Sequence, residues 1–157
     1  MPRITQVTDE NAAPAAKELL TAINSKVGFV PNIYRVLANE PAALSATLSA
    51  SEELGKGSFD AKTREAIALT VAGANACDYC ASAHTAISKS LKVEDAEIQS
   101  RLNGRSADTK LQAVLTFANA VVAERGLTSD AQLSAAREAG LTAVSYTHLT
   151  LPTKRIV

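Results

Sequence analysis

Cys77 and Cys80 are the only cysteines in a chain of 157 residues, and His84 is one of its two histidines. All three fall in ANACDYCASAHTA (74–86), a C-x-x-C pair with an imidazole four residues further on. On a helix, residues three and four apart share a face, so this spacing projects both thiols and the imidazole as one stripe. An i,i+3 pair also meets the Cα separation of roughly 4.4–6.8 Å that a disulfide requires. Asn75, after Gly73-Ala74, is the predicted N-cap, placing Cys77 in the first turn and Asp78 at the third helical position. Unpaired backbone N–H groups and the positive end of the helix dipole stabilise a thiolate there, and thiol pKa values in such settings fall from about 8.5 to about 3.5–7.5. His84, one turn below Cys80, can accept or relay the thiol proton.

Three other readings compete with a redox dithiol. A purely structural disulfide gains little, because the stabilisation grows with loop length and a loop of about 15 residues is worth only about 3 kcal/mol. Structural zinc takes four protein ligands, and the body of the chain offers two Cys and one His. Two inert cysteines beside a satisfied histidine are the plainest case. Glu65 adds a fourth candidate, twelve residues before Cys77. On one straight helix that is about 18 Å, too far for direct proton exchange. A break near Gly73–Asn75 lets two helices pack so that Glu65 faces the cysteines; otherwise it is a solvated carboxylate beside Lys62 and Arg64.

The elements that must position these groups all read as helices. AAPAAKELLTAINSK (12–26) aligns Ala16, Leu19, Leu20 and Ile23, with Pro14 in its opening turn. After VGFVPN comes the short NIYRVLAN, and then PAALSATLSASEELGK from Pro41, with Leu44, Leu48 and Leu54 on a stripe. DAKTREAIALTVAGA (60–74) begins at Asp60 as N-cap. CDYCASAHTAISKSL (77–91), VEDAEIQSRL, SADTKLQAVLTFANAVVAERG (106–126, stopped by Gly126) and TSDAQLSAAREAG (128–140, capped by Gly140) follow. No segment alternates like a strand, and no solenoid repeat stands out. The expected fold class is all-α, a compact multi-helix domain over residues 1–143.

Residues 144–157, VSYTHLTLPTKRIV, shift to Thr-rich text where another core helix would be welcome. We treat them as an atypical tail, foreign or frameshifted, with a native extended tail as the alternative; His148 is therefore left out of the site. Loss of a last helix would leave apolar surface uncovered. Sixteen basic and sixteen acidic residues balance, and 46% hydrophobic against 20% charged residues is ordinary globular composition. No basic run suggests nucleic acid or a membrane surface, and no apolar run approaches the roughly 18 residues of a membrane span. MPRITQVTDENAAP carries no secretion signal, so a cytoplasmic location is expected, where C-x-x-C pairs are more often catalytic or metal-binding than staples.

Glu65, eleven intervening residues, Cys77-Asp78-Tyr79-Cys80, and three residues to His84 form a pattern that resembles the AhpD-like alkylhydroperoxidases of the carboxymuconolactone decarboxylase superfamily. VGFVPNIYRVLANEPAAL (27–44) resembles the peroxidase-related branch, and the likeness runs over roughly residues 10 to 143. The resemblance implies an all-helical fold assembling as trimers or hexamers, and a peroxidase without haem, flavin or metal. By similarity Cys80 is the peroxidatic thiol, Cys77 the more exposed resolving thiol, and Glu65 with His84 the proton relay, completed by a water. The substrate implied is an organic hydroperoxide, and the reductant a dithiol carrier, lipoylated or thioredoxin-like. The family's best-known members often carry histidine where this chain has Tyr79. A phenol titrates near 10, so Tyr79 can hydrogen-bond in the relay but shuttles protons poorly at neutral pH. Decarboxylase members lack C-x-x-C, which argues against lactone decarboxylation. A general dithiol–disulfide oxidoreductase or redox sensor, and a helical binding protein with incidental thiols, are the alternatives.

Overall fold

The structure, a computed structural model, describes residues 3–150. No strand occurs among the described residues, which form nine α-helices. The expected all-α class is the one observed. The chain divides between Lys56 and Gly57 into two compact units.

The first unit holds α1 (Pro14–Val27), α2 (Asn32–Leu37) and α3 (Pro41–Gly55). Pro14 and Pro41 open their helices, where a missing N–H costs nothing. The predicted apolar faces are the ones buried: Ala16, Leu20 and Ile23 of α1 meet Leu44 of α3, with Leu19 and Leu48 packed alongside. Asn39 and Arg35 bind the carbonyls of Thr5 and Val7, tying the N-terminal segment to the end of α2.

The second unit is arranged around α4 (Ala61–Ala74), which packs against α5 (Asp78–Ser90), α6 (Asp95–Leu102) and α7 (Thr109–Ala123). One helix can take three neighbours because its sequence, AKTREAIALTVAGA, is rich in side chains small enough for close axes. Asp60 caps α4 as expected, accepting the Thr63 N–H at 2.7 Å. Asp108 caps α7 in the same way, and Ser129 and Gln132 form a capping box on α8 (Asp130–Glu138). Helix α7 ends at Ala123 and reverses on Arg125 (φ 52) one residue before Gly126.

The stretch expected as a tail behaves differently in its first half. α9 (Ala143–Thr150) continues the helical unit across the 143/144 boundary. Its Leu149 is buried, its Tyr146 ring lies 5.5 Å from that of Phe117, and His148 stacks edge-on against Phe59. Spacings of three and four put Tyr146 and Leu149 on one side, so an eight-residue helix can close over α7. Residues 151–157 of that expectation lie outside the described residues.

Candidate active site

Helix α4 ends in a tight reversal. The Ala76 N–H bonds to the Gly73 carbonyl at 3.1 Å and the Cys77 N–H to the Ala72 carbonyl at 2.9 Å, the paired reverse bonds of a Schellman turn. The left-handed residue that such a turn needs is Ala76, at φ 48, where a side chain costs about 1–2 kcal/mol. Cys77 follows it in extended conformation and is the N-cap of α5: its Sγ accepts the Cys80 N–H at 3.3 Å. The helix therefore starts two residues later than the sequence suggests. Asn75 caps the end of α4 instead of the start of α5, and Asp78 is the first helical residue rather than the third. A sulfur fills the place where a hydroxyl or carboxylate oxygen usually sits.

Cys77 and Cys80 are joined as a disulfide with their Cα atoms 5.3 Å apart, and both residues are half-buried. His84 lies one turn below Cys80 on α5. Its Nδ1 is 2.8 Å from Oε2 of Glu65 on α4, so the break does bring Glu65 to the cysteine helix. The Glu65 side chain is only 15% exposed and the imidazole 33%. With the carboxylate ionised and the imidazole neutral, Nδ1–H would be the donor to Glu65, and the Nε2 lone pair would be the one to accept a proton. Tyr79, in the first turn of α5, is 47% exposed.

The frame behind these groups is α6. An ideal Cβ on Gly73 would lie 1.9 Å from the Leu102 carbonyl oxygen, so the backbones of α4 and α6 touch four residues before Cys77. The Thr70 hydroxyl donates to the Arg101 carbonyl at 2.8 Å, and the buried Arg101 side chain runs toward the first turn of α4. Sequence reasoning takes Gly73 as part of a break and passes over Arg101. A glycine within a helix that caps neither end is the signal of close approach; Arg101, four residues after Glu97, looks like one half of an ordinary surface pair. Among the described residues no cluster of three or more His, Cys, Asp or Glu is placed to hold a metal ion, and no helix is long and apolar enough to cross a membrane.

This arrangement can do two things at once. A helix start accepts negative charge on sulfur. A carboxylate hydrogen-bonded to an imidazole, one turn away, has the chemistry to move a proton.

Solved structures share this fold. An uncharacterised peroxidase-related protein from Silicibacter sp. TM1040 superposes with a TM-score of 0.80 at 20% identity, covering 99% of this chain and 89% of the other. An alkylhydroperoxidase AhpD core, an uncharacterised peroxidase-related protein from Ralstonia eutropha JMP134, gives 0.79 at 23%, with the same coverage of 99% and 89%. These two share the fold. The alkylhydroperoxidase AhpD core from Rhodospirillum rubrum ATCC 11170 is 30% identical over 85% of this chain and 98% of its own, with a TM-score of 0.61. No curated protein matches the sequence. The model of the carboxymuconolactone decarboxylase family matches residues 41–124, more than half of the chain and all of α3 to α7. With an AhpD-like core and more than half its length in that match, the chain belongs to the carboxymuconolactone decarboxylase family.

Proposed function

We propose that the protein is a thiol-dependent peroxidase that reduces organic hydroperoxides through the Cys77–Cys80 pair. The observation that carries this reading is the Glu65–His84 hydrogen bond of 2.8 Å, one turn from a C-x-x-C disulfide at a helix start. A bare redox dithiol does not require a proton-transfer pair behind it; O–O cleavage with an alkoxide leaving group benefits from one.

The cycle begins with the disulfide reduced. His84 Nε2 takes the Cys80 thiol proton, while Glu65 steadies the resulting imidazolium through Nδ1. The Cys80 thiolate attacks the distal oxygen of ROOH. The O–O bond breaks, the alkoxide takes the proton from His84 and leaves as ROH, and Cys80 holds a sulfenic acid. The Cys77 sulfur then displaces hydroxide from Cys80, which leaves as water with the Cys77 proton, and the disulfide returns. A dithiol carrier, lipoylated or thioredoxin-like, attacks Cys77 and leaves by its own disulfide, restoring both thiols. Attack on Cys77 expels Cys80 as thiolate, and the carrier's second thiol then closes the carrier's disulfide and expels Cys77, a departure that the N–H donated to Cys77 Sγ favours. Assembly as a trimer or hexamer belongs to the same proposal, supported by exposed Phe29 and Ile87 on the surface of the single chain.

The test is stoichiometric. Reduced protein freed of reductant receives one equivalent of cumene hydroperoxide, and free thiols and intact mass are followed. Rapid loss of both thiols with a mass decrease of two hydrogens is expected, and Cys80→Ser should abolish it. Thiols that persist for hours, or full peroxide consumption by Cys80→Ser, overturn the proposal.

A further inference from the structure

Arg101 is 4% exposed, with its side chain in the seam between α6 and α4. Its guanidinium ion-pairs with Glu97, a residue on its own helix that is 44% exposed, and reaches the Lys62 carbonyl at 3.5 Å, a long contact. Among the described residues its Nε finds no hydrogen-bond partner. Burying a charge that is paired mainly with a half-exposed carboxylate is poor value for stability, since an apolar side chain of the same volume often serves as well. What a buried charge with directed contacts supplies is a fixed register.

The contacts between α6 and α4 fall at three levels. The Arg101 guanidinium sits by Lys62, the Arg101 carbonyl receives the Thr70 hydroxyl, and the Leu102 carbonyl abuts Gly73. Glu65 lies between the first two levels, about 60° around the helix from Lys62 (three residues at about 100° each), and its carboxylate reaches His84 on α5. Sliding or rolling α4 on α6 moves the Glu65 carboxylate relative to His84, and a hydrogen bond weakens steeply with misalignment.

We infer that Arg101 is a positioning residue for the Glu65–His84 pair, holding α4 in register on α6 so that the carboxylate meets the imidazole. As a statement about catalysis this rests on the peroxidase reading; as a statement about the pair it does not. The test therefore has two readouts. The first is the His84 Nδ1–H proton resonance of the reduced protein, assigned against a His148→Gln background; a hydrogen bond to a carboxylate slows its exchange and shifts it downfield. The second is the rate of cumene hydroperoxide-driven thiol loss. The paired substitution Arg101→Met with Glu97→Gln removes the charges and keeps the bulk. It should melt close to the wild-type temperature yet lose the sharp Nδ1–H signal and slow thiol loss at least about tenfold, with Arg101→Lys in between. If the paired variant does not fold, Arg101→Gln alone, which removes the charge and shortens the side chain while leaving Glu97 in place, is read in the same two ways. A retained resonance with a rate within about twofold of wild type, in whichever variant folds, overturns the inference. Should the wild type itself not react with peroxide, the peroxidase reading fails, and the resonance alone decides the role of Arg101.

Discussion

Gly73→Ala tests whether the helix frame sets the geometry of the cysteines. The added Cβ would lie 1.9 Å from the Leu102 carbonyl oxygen and 3.0 Å from its carbon, both backbone atoms that cannot rotate away. Carbon contacts settle at roughly 3.5–4.0 Å, so α4 and α6 must part by about 1 Å or more. Overpacking of this kind costs about 1–3 kcal/mol, and replacing glycine by alanine inside a helix returns about 1 kcal/mol. The net is a destabilisation of about 1 kcal/mol, a melting-temperature drop of roughly 4 °C for a unit of this size. The effect on chemistry should be far larger. The Gly73 carbonyl accepts the Ala76 N–H in the turn that delivers Cys77, so a displacement at Gly73 carries directly into the C-x-x-C. Misplacing reacting groups by about 1 Å can cost about 10²-fold in rate. The assay is quenched-flow thiol loss with one equivalent of cumene hydroperoxide, alongside thermal melting. Gly55→Ala is the control, since a Cβ there meets nothing within 4 Å. It should stabilise slightly and leave the rate alone. If Gly73→Ala behaves like Gly55→Ala in both measurements, the contact between α4 and α6 does not position the cysteines, and the reasoning fails.

Glu65→Gln keeps a hydrogen-bond acceptor for His84 but removes the charge that steadies an imidazolium; peroxide-driven disulfide formation should slow about 10²-fold, with the disulfide still formed by diamide. Ala76→Gly relieves the left-handed strain at φ 48 at some cost in unfolded-chain entropy, and should raise stability by roughly 0.5–1 kcal/mol in urea titration. Hydrogen bonds from Thr63, first its backbone N–H and then its hydroxyl, hold the Asp60 carboxyl below the usual carboxylate range. A lowered folded-state pKa contributes stability above the unfolded pKa of about 3.9 and loses it as pH falls through the folded value. Asp60→Ala should therefore cost about 1 kcal/mol at neutral pH, and the gap to wild type should close in urea melts taken below roughly pH 4.

The helices were legible because their signals are local. Pro14, Pro41 and Asp60 mark starts, and Ala16, Leu20, Ile23 and Leu44 mark buried faces, by rules that need only a few neighbouring residues. Cys77, Cys80 and His84 could be picked out by type and spacing, whereas spacing left Glu65 open and only the family resemblance joined it to them; the structure pairs the four two by two. The start of α5 was misread because Asn75 is the better cap by propensity. What overrode it is a left-handed alanine, which carries no sequence signature, followed by a cysteine sulfur acting as cap. Arg101 was illegible for a different reason: burial of a long polar side chain depends on what packs over it, and an i,i+4 pair with Glu97 looks the same on a surface as in a seam. The reach of α9 beyond residue 143 was missed because Thr-rich sequence lowers helix propensity, which packing of Tyr146 and Leu149 then outweighs.

The Glu65–His84 bond spans only nineteen positions of chain, and the disulfide three. Everything in the site that could react is thus contributed by one helical hairpin, α4 and α5, whose closure entropy is small. Contacts so near in sequence form early when a chain folds, ahead of the distant ones. α9 closes a different cluster, with Phe117, Val121 and Ala136, which meets α4 at the partly buried Ile67 and contains none of the four reactive residues. A nascent chain can accordingly assemble its chemical apparatus before its last helices are made, and lesions in those helices would be felt as reduced lifetime of the folded molecule before they were felt as altered chemistry.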